Sequence, residues 1–436
     1  MSGKNCFEIL NKIFIPKNKE KIENIKGYTI KYGNIVEENN IIDEVLVSYF
    51  KEPKSYTTEN MCEINSHGGN IIVKKILELC LKNGAELAEP GEFTKKAFLN
   101  GRIDLTQAES VVDLINAKSE KEMKAGIKQL EGELSAEIGK IKKEIMDVMI
   151  GIEVSIDYPE YDVEEVTNNQ ILNMLNNVEE ELTKLEKSFD NGKIIKEGIK
   201  TVIIGKPNAG KSSLLNRILK EERAIVTEYE GTTRDTIEEF VTINGIPLKI
   251  IDTAGIRNAT DEVEKIGINK SREMANEADL VIAIIDSSKE LSKEDEEILN
   301  FIKNKKSIII LNKIDLKQVI TKEDKRLNDA TSNIIEISAL NNIGIESLYD
   351  KITKLFELNE INLDNNFVIT NIRHKNLIDE ALKNVKETKK AIKEKMPLDI
   401  TSVYIKEILE NLGSITGEFV TEDIINKIFE KFCLGK

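Results

Sequence analysis

Histidine is nearly absent from this sequence. Only His67 and His374 occur in 436 residues, which argues against a zinc site built on imidazoles. Cysteine is scarce too. Cys6, Cys62, Cys80 and Cys433 are scattered, with no CxxC or metal-ligand spacing, and so few thiols suit a reducing compartment such as the cytoplasm. Seven prolines and 24 glycines are too few for long disordered linkers. No apolar run reaches the roughly 18–20 residues that a membrane-spanning helix needs. The opening MSGKNCFEILNKIF lacks a signal-peptide pattern. Positive charge is in deficit: the net charge is −15 and the pI near 5.0. That argues against indiscriminate nucleic-acid binding, which is driven by phosphate neutralisation, and leaves room only for specific contact through a local basic patch.

What is present is ordinary globular material, 40% hydrophobic and 32% charged, long enough for two or three domains. Residues 28–50, YTIKYGNIVEENNIIDEVLVSYF, alternate in polarity and predict a strand, a turn around Glu37–Asn40 and a second strand. GGNIIVKKILELCLKNG at 68–84 predicts a helix, so 1–101 reads as a small α+β domain. Apolar residues at 127, 130, 134, 138, 141, 145, 148 and 152 then define one face of a long helix. A second set at 171, 175, 178, 182, 185 and 189 repeats the pattern, so 102–194 reads as helical, broken by DYPEYD at 157–162. Between 195 and 358 the short apolar runs KTVIIG, LKIIDT, DLVIAIID, SIIILN and NIIEIS alternate with helical stretches, the signature of a mostly parallel sheet. Asn244-Gly245 predicts one hairpin, hence one antiparallel edge strand. Helical patterning returns over 359–436. The α/β domain therefore reads as an insertion into a helical domain whose two parts pack together.

The chemistry sits in the inserted part. GKPNAGKS at 205–212 satisfies G-x-x-x-x-G-K-[ST], follows an apolar strand and opens a helix. In such a loop backbone N–H groups from Asn208, Ala209 and Gly210 cradle phosphate. Lys211 reaches the β/γ oxygens, and Ser212, with Ser213 next to it, begins the helix and offers a hydroxyl to Mg²⁺. Asp252 ends a later strand, where a Mg²⁺-side carboxylate belongs, and Gly255 offers a backbone N–H to the γ-phosphate. Thr232 and Thr233 are both candidates for the magnesium-ligating threonine. NKID at 312–315 supplies a base reader. The Asp315 carboxylate accepts from guanine N1–H and the 2-amino group, a paired donor edge that adenine lacks, while Asn312 suits N7 and Lys313 lies between them. Ser338-Ala339, in ISAL at 337–340, places an N–H for guanine O6.

One position departs from the usual hydrolase pattern. After Gly255, where many GTPases carry a water-orienting glutamine, stands Ile256. Two features are candidates for the missing work. A carbonyl oxygen on Asn208 suits a monovalent cation beside the β/γ-phosphates, in the place of an arginine finger's charge. A carboxylate among Asp261, Glu262 and Glu264 suits the water.

The order GKPNAGKSSLLN, GTTRD, DTAGIR, NKID, ISAL resembles the GTPases that include the Era, EngA and MnmE groups. EINSHGGN at 63–70, EPGEFTKKAFLNGRIDLTQAESVVDLI at 89–115 and the terminal FCLGK at 432–436 resemble the MnmE (TrmE) family, over essentially the whole chain. The resemblance implies a Ras-like α/β P-loop G domain, 195–358, inserted in an all-α helical domain, 102–194 and 359–436, behind a folate-binding-like domain, 1–101. It implies GTP hydrolysis activated by potassium (K⁺), held by Asn208, Thr227, Tyr229 and Thr232, with Mg²⁺ on Ser212 and Thr233 and Glu264 as the water-orienting, catalytic carboxylate. It further implies a homodimer, and an FAD-dependent partner, MnmG (GidA), in a heterotetramer that modifies C5 of the wobble uridine in tRNA. A tetrahydrofolate derivative is expected at Glu63, Arg102 and Lys436, with Cys433 pointing toward that site as a candidate nucleophile. The bland alternatives are a buried helix-end thiol for Cys433 and a capped loop residue for His67.

The family pattern begins earlier, with a strand, a glycine-rich turn and an R-I-S-G segment. The sequence is therefore expected to be compromised in folate binding and in pairing of its first domain, though not in GTP hydrolysis. A GTP-dependent switch such as a ribosome-assembly factor is the other reading. That class calls for a basic RNA-binding domain after the nucleotide domain, and the tail here is a mixed-charge helical segment.

Overall fold

The computed structural model describes residues 1–18, 27–38, 40–157, 168–221, 239–243, 245–251, 276–358 and 368–435. They form two compact units, one of Met1–Ile115, Ile127–Val178 and Glu380–Lys436, the other of Asn116–Gly126 and Glu179–Asp379.

In the first unit, strands β1 (Phe14–Pro16), β2 (Thr29–Glu37), β3 (Asn40–Phe50) and β4 (Met61–Asn65) form an antiparallel sheet in that order. The hairpin expected from the alternation at 28–50 is there, closed by the pair Glu37 and Asn40. Its period of two sends Val45, Val47 and Tyr49 to one face, where they pack with Leu10 and Ile13 of helix Cys6–Ile13 and with Ile76 and Leu79 of helix Asn70–Lys82. The helices Glu133–Asp157 and Leu398–Thr416 pack against each other, so the two helical parts of the chain do meet. Ile138, Ile141, Ile145 and Ile152 are fully buried along the first, as are Ile405, Ile408, Leu412 and Ile415 along the second.

The single long helix expected from the spacing at 127–152 is in fact two, Glu120–Leu130 and Glu133–Asp157. Gly132 turns the chain with φ 86°, and the Gln107 side-chain amide donates to the Leu130 carbonyl at 2.7 Å, satisfying a helix-end oxygen. Leu130 and Leu134 keep the apolar spacing across the break, so periodicity alone does not register it. The acidic segment expected to separate the next two helices lies mostly outside the described residues.

The second unit holds a six-stranded sheet in the order β10 (Ile334–Glu336), β9 (Ser307–Asn312), β8 (Leu280–Asp286), β5 (Ile199–Gly205), β7 (Ile246–Ile250), β6 (Glu239–Ile243). Every pair is parallel except β6 with β7, which is antiparallel through Gly245 at φ 77°, as the Asn-Gly signal predicts. All seven residues of β8 are buried. Leu280, Ile282 and Ile284 enter one core; Val281, Ala283 and Ile285 enter the core on the opposite face. A sheet covered on both sides reads as a continuous apolar run, which is why DLVIAIID shows no alternation.

β5 lies where the strand order reverses, with β7 on one side and β8 on the other. In open α/β sheets the crevice at the carboxyl end of such a strand is the ligand site.

Helix Asn168–Glu197 is held against the chain near 369 at backbone distance. The Ile369 N–H donates to Ser188 Oγ at 3.1 Å, and a Cβ on Gly192 would lie 2.0 Å from the Ile369 carbonyl oxygen. Alanine is the better helix former by about 1 kcal/mol, yet here its methyl has no room. Gly192→Ala is expected to destabilise the protein by about 2 kcal/mol, read as a lowered urea midpoint. A raised midpoint would mean that the close approach does not exist.

Candidate nucleotide-binding site

The described motif residues converge on the carboxyl edge of the six-stranded sheet. Gly205 is the last residue of β5, Asp286 of β8 and Asn312 of β9, and Ser338-Ala339 follow β10. The edge is built by hydrogen bonds between loops, because a strand's own ladder ends there.

The loop 205–212 leaves β5 and enters helix Lys211–Glu221. The Lys211 ammonium donates to the Gly205 carbonyl at 2.8 Å and to the Lys206 carbonyl at 2.9 Å. These contacts curl the loop so that its N–H groups precede a helix N-terminus, the arrangement that favours phosphate. Ser212 and Ser213 lie in the first turn of that helix. Asn208 has φ 60°, a left-handed backbone rare outside glycine. Its side chain is exposed and has no hydrogen-bond partner among the described residues, so it does not serve the local backbone. Gly210 has φ 107°, and a Cβ there would lie 2.0 Å from Asn312 Nδ2. Only glycine lets the two loops touch.

Asn312 is 3% exposed. Its Nδ2 donates to the Ala209 carbonyl at 2.8 Å, and its Oδ1 accepts from the Ala339 N–H at 3.1 Å. The side chain expected at N7 and the N–H expected at O6 are thus bonded to each other, and the phosphate loop is joined to the same bridge. A second hydrogen on Nδ2 remains for a ligand. The exposed Asp315 is aimed by Ser338, whose Oγ donates to its Oδ1 at 2.5 Å, while Asn341 N–H donates to Ser338 Oγ at 3.2 Å. A carboxylate held through one oxygen keeps its other oxygen and a further lone pair for a two-donor base edge.

Sequence reasoning misses Asp286 as a site residue. It ends β8, and Lys313 of the base motif donates to its Oδ2 at 2.6 Å. Burial alone would raise this carboxyl, but Lys313 and two hydrogen bonds from Ser288 outweigh that and hold it below the ordinary carboxylate range. The signal for it is an acid closing an apolar strand, as in DLVIAIID. Asp252, Gly255, Glu264, Thr227, Tyr229, Thr232 and Thr233, together with Ile256, lie outside the described residues.

In the first unit, Glu63 and Arg102 come together on a cavity of about 930 Å³ that also meets Tyr56 and Gly435. The Arg102 guanidinium lies 4.8 Å from the Tyr56 ring centre, a cation–π placement. Lys436, the next residue after Gly435, is outside the described residues. Cys433 is exposed, which corrects the reading of a buried helix-end thiol. Phe432 takes the inward position beside Phe429, with ring centres 5.0 Å apart, and the chain turns Cys433 outward. His67 is a loop residue fixed by Asp43, which accepts from its backbone N–H at 2.9 Å and lies 2.8 Å from its ring Nδ1.

Two family models account for most of the chain. One described as GTP-binding protein TrmE N-terminus matches residues 1–102, and one described as MnmE helical domain matches residues 105–433. The chain is 48% identical over 438 residues to the tRNA modification GTPase MnmE of Acetivibrio thermocellus, covering 100% of this chain and 95% of that protein. It is 49% identical over 436 residues to the protein of the same description from Clostridioides difficile, with the same coverage. Among solved structures, Aquifex aeolicus Era bound to GDP and AlF4⁻ aligns at 27% identity over 43% of this chain and 66% of that one. The TM-score of that alignment is 0.28. Full-length identity of this order, spanning both the nucleotide motifs and the flanking units, establishes that the chain belongs to the MnmE family of tRNA modification GTPases.

Proposed function

We propose that this GTP hydrolase is activated by potassium at Asn208, and that its GTP cycle drives C5 modification of wobble uridine in tRNA together with an FAD-dependent partner of the MnmG type. The observation that carries the reading is Asn208, an exposed amide without a hydrogen-bond partner among the described residues, in a left-handed turn within the phosphate loop. An amide carbonyl is a hard oxygen ligand suited to an alkali cation, which would supply positive charge beside the β/γ-phosphates. Switch-loop carbonyls at Thr227, Tyr229 and Thr232 would complete the shell. The hydroxyls of Ser212 and Thr233 are of the oxygen type that Mg²⁺ takes. Glu264 would orient the attacking water, so Ile256 need not. The chain acts as a homodimer in the cytoplasm.

The residues on the cavity of the first unit suit a reduced folate. Glu63 offers a carboxylate to the paired N–H donors of a pterin, and Arg102 offers a guanidinium to a carboxylate tail. Bound there, such a cofactor would supply a one-carbon unit, and Cys433 and Lys436 are within two residues in sequence of Gly435, which meets the cavity.

Two measurements test the nucleotide chemistry. GTP turnover is expected to be about tenfold or more faster in potassium chloride than in equal sodium chloride, and Asn208→Ala is expected to abolish the difference. Equal wild-type rates in both salts would remove the potassium reading. Asp315→Asn presents an amide N–H where guanine's 2-amino group needs an acceptor, so GTP affinity is expected to fall about a hundredfold. Xanthine nucleotides carry an oxygen at that position and are expected to gain. Unchanged preference for guanine in competition binding would show that Asp315 does not read the base.

A further inference from the structure

We infer that Asp295, a residue outside every nucleotide motif, is a positioning residue for the GTPase reaction, holding the start of the phosphate loop through Lys206 and so setting the backbone at Asn208. The inference deepens the reading of Asn208 above and rests on it.

Asp295 lies at the third position of helix Lys293–Ile302 and is 1% exposed. Its Oδ2 accepts from the Ser292 backbone N–H and the Ser292 hydroxyl, each at 2.9 Å, while Ser292 caps the helix in return. This is a capping box, and a helix cap is the plain explanation for those contacts. It does not explain Lys206. The Lys206 ammonium lies 2.5 Å from the same Oδ2 and 3.0 Å from Ser292 Oγ, with the lysine side chain only 19% exposed. Asp295 Oδ1 is buried and has no partner among the described residues. Everything that offsets the burial of this carboxylate therefore converges on Oδ2, and Lys206 brings the only cation among the described contacts of that oxygen. A buried carboxylate without its counter-charge is strongly unfavourable, so the pair fixes Lys206 in place.

Lys206 is the second residue of the phosphate loop, and its own carbonyl is one of the two that hold Lys211. Pro207 follows with its φ restricted by the ring. Asn208 then takes φ 60°, and Ala209 is held from the far side by Asn312. The left-handed residue thus sits between two anchors supplied by side chains outside the loop, Asp295 before it and Asn312 after it. A non-glycine residue keeps such a conformation when its surroundings over-determine it. Both anchors act through contacts of the protein alone.

The test uses the full chain. Asp295→Asn keeps an oxygen for the Ser292 N–H, so it largely preserves the cap while removing the charge that holds Lys206. Lys206→Arg keeps the ion pair. Three quantities are read: affinity for fluorescent GDP in sodium buffer, the potassium concentration that half-saturates GTP turnover, and the melting temperature. Asp295→Asn is expected to weaken GDP binding about tenfold and to raise the half-saturating potassium concentration. Lys206→Arg still sets a cation against the carboxylate and is expected to lose less than Asp295→Asn in both. Wild-type GDP affinity in Asp295→Asn with only a lowered melting temperature would overturn the inference, leaving Asp295 a helix cap. Should the wild type show no potassium response, the potassium reading fails, yet GDP affinity in sodium still decides whether Asp295 positions the loop. If Asp295→Asn folds poorly, Lys206→Met combined with Asp295→Asn leaves no unpaired buried charge and is expected to show the same loss of GDP affinity. Wild-type affinity in that double variant would equally overturn it.

Discussion

The nucleotide edge of this protein depends on one buried carboxamide. Asn312 closes β9, and its backbone carbonyl accepts from both the N–H and the hydroxyl of Ser287, after β8. Its side chain takes the Ala339 N–H on one atom and gives a hydrogen to the Ala209 carbonyl with the other. Three loops that follow three different strands thereby share one residue. Such a bridge is made in a low-dielectric place where an unmade hydrogen bond is costly, so its members must move together or not at all. The absence of a side chain at Gly210 follows from it, as does the burial of Ala339 at 5% exposure. Asp315, aimed by Ser338 from the same loop, inherits its placement from that bridge.

The second constraint is electrostatic. Asp286 and Asp295 are both nearly buried, and each is offset by a lysine from a nucleotide motif: Lys313 of the base loop and Lys206 of the phosphate loop. The acidic chain thus turns two of its cations inward, at the edge of the sheet that carries the nucleotide motifs. Their charges are already partnered by carboxylates. Lys211, by contrast, has its ammonium held by two backbone carbonyls of its own loop.

Features whose causes lie among sequence neighbours are legible in the chain itself. The phosphate loop, the Asn244-Gly245 hairpin, the closure at Glu37 and Asn40 and the doubly covered strand 280–286 each carry their cause within a few residues. Features set by distant partners are not legible in that way. The break at Gly132 hides behind unbroken apolar spacing and is secured by Gln107, 23 residues before Leu130. The outward turn of Cys433 is decided by Phe432 packing on Phe429. The joining of Asn312 to the phosphate loop spans 103 residues, and no local pattern shows that the amide expected at the base already has two protein partners. The cavity joining Glu63 and Arg102 to Gly435 likewise gathers residues from opposite ends of the chain, so only the family resemblance placed them together.

The contact between Gly192 and Ile369 closes the chain around the six-stranded sheet. The segment that leads into the six-stranded sheet and the segment that leads out of it run side by side, with no side chain between the helix at 192 and the carbonyl at 369. Both residues belong to the second unit, so the stretch of chain that carries the sheet is closed at its base by a backbone contact of its own. When two ends lie this close, the length of chain between them adds little to the entropic cost of closing it. Any side chain at 192 would part those ends, so the glycine keeps the closure tight.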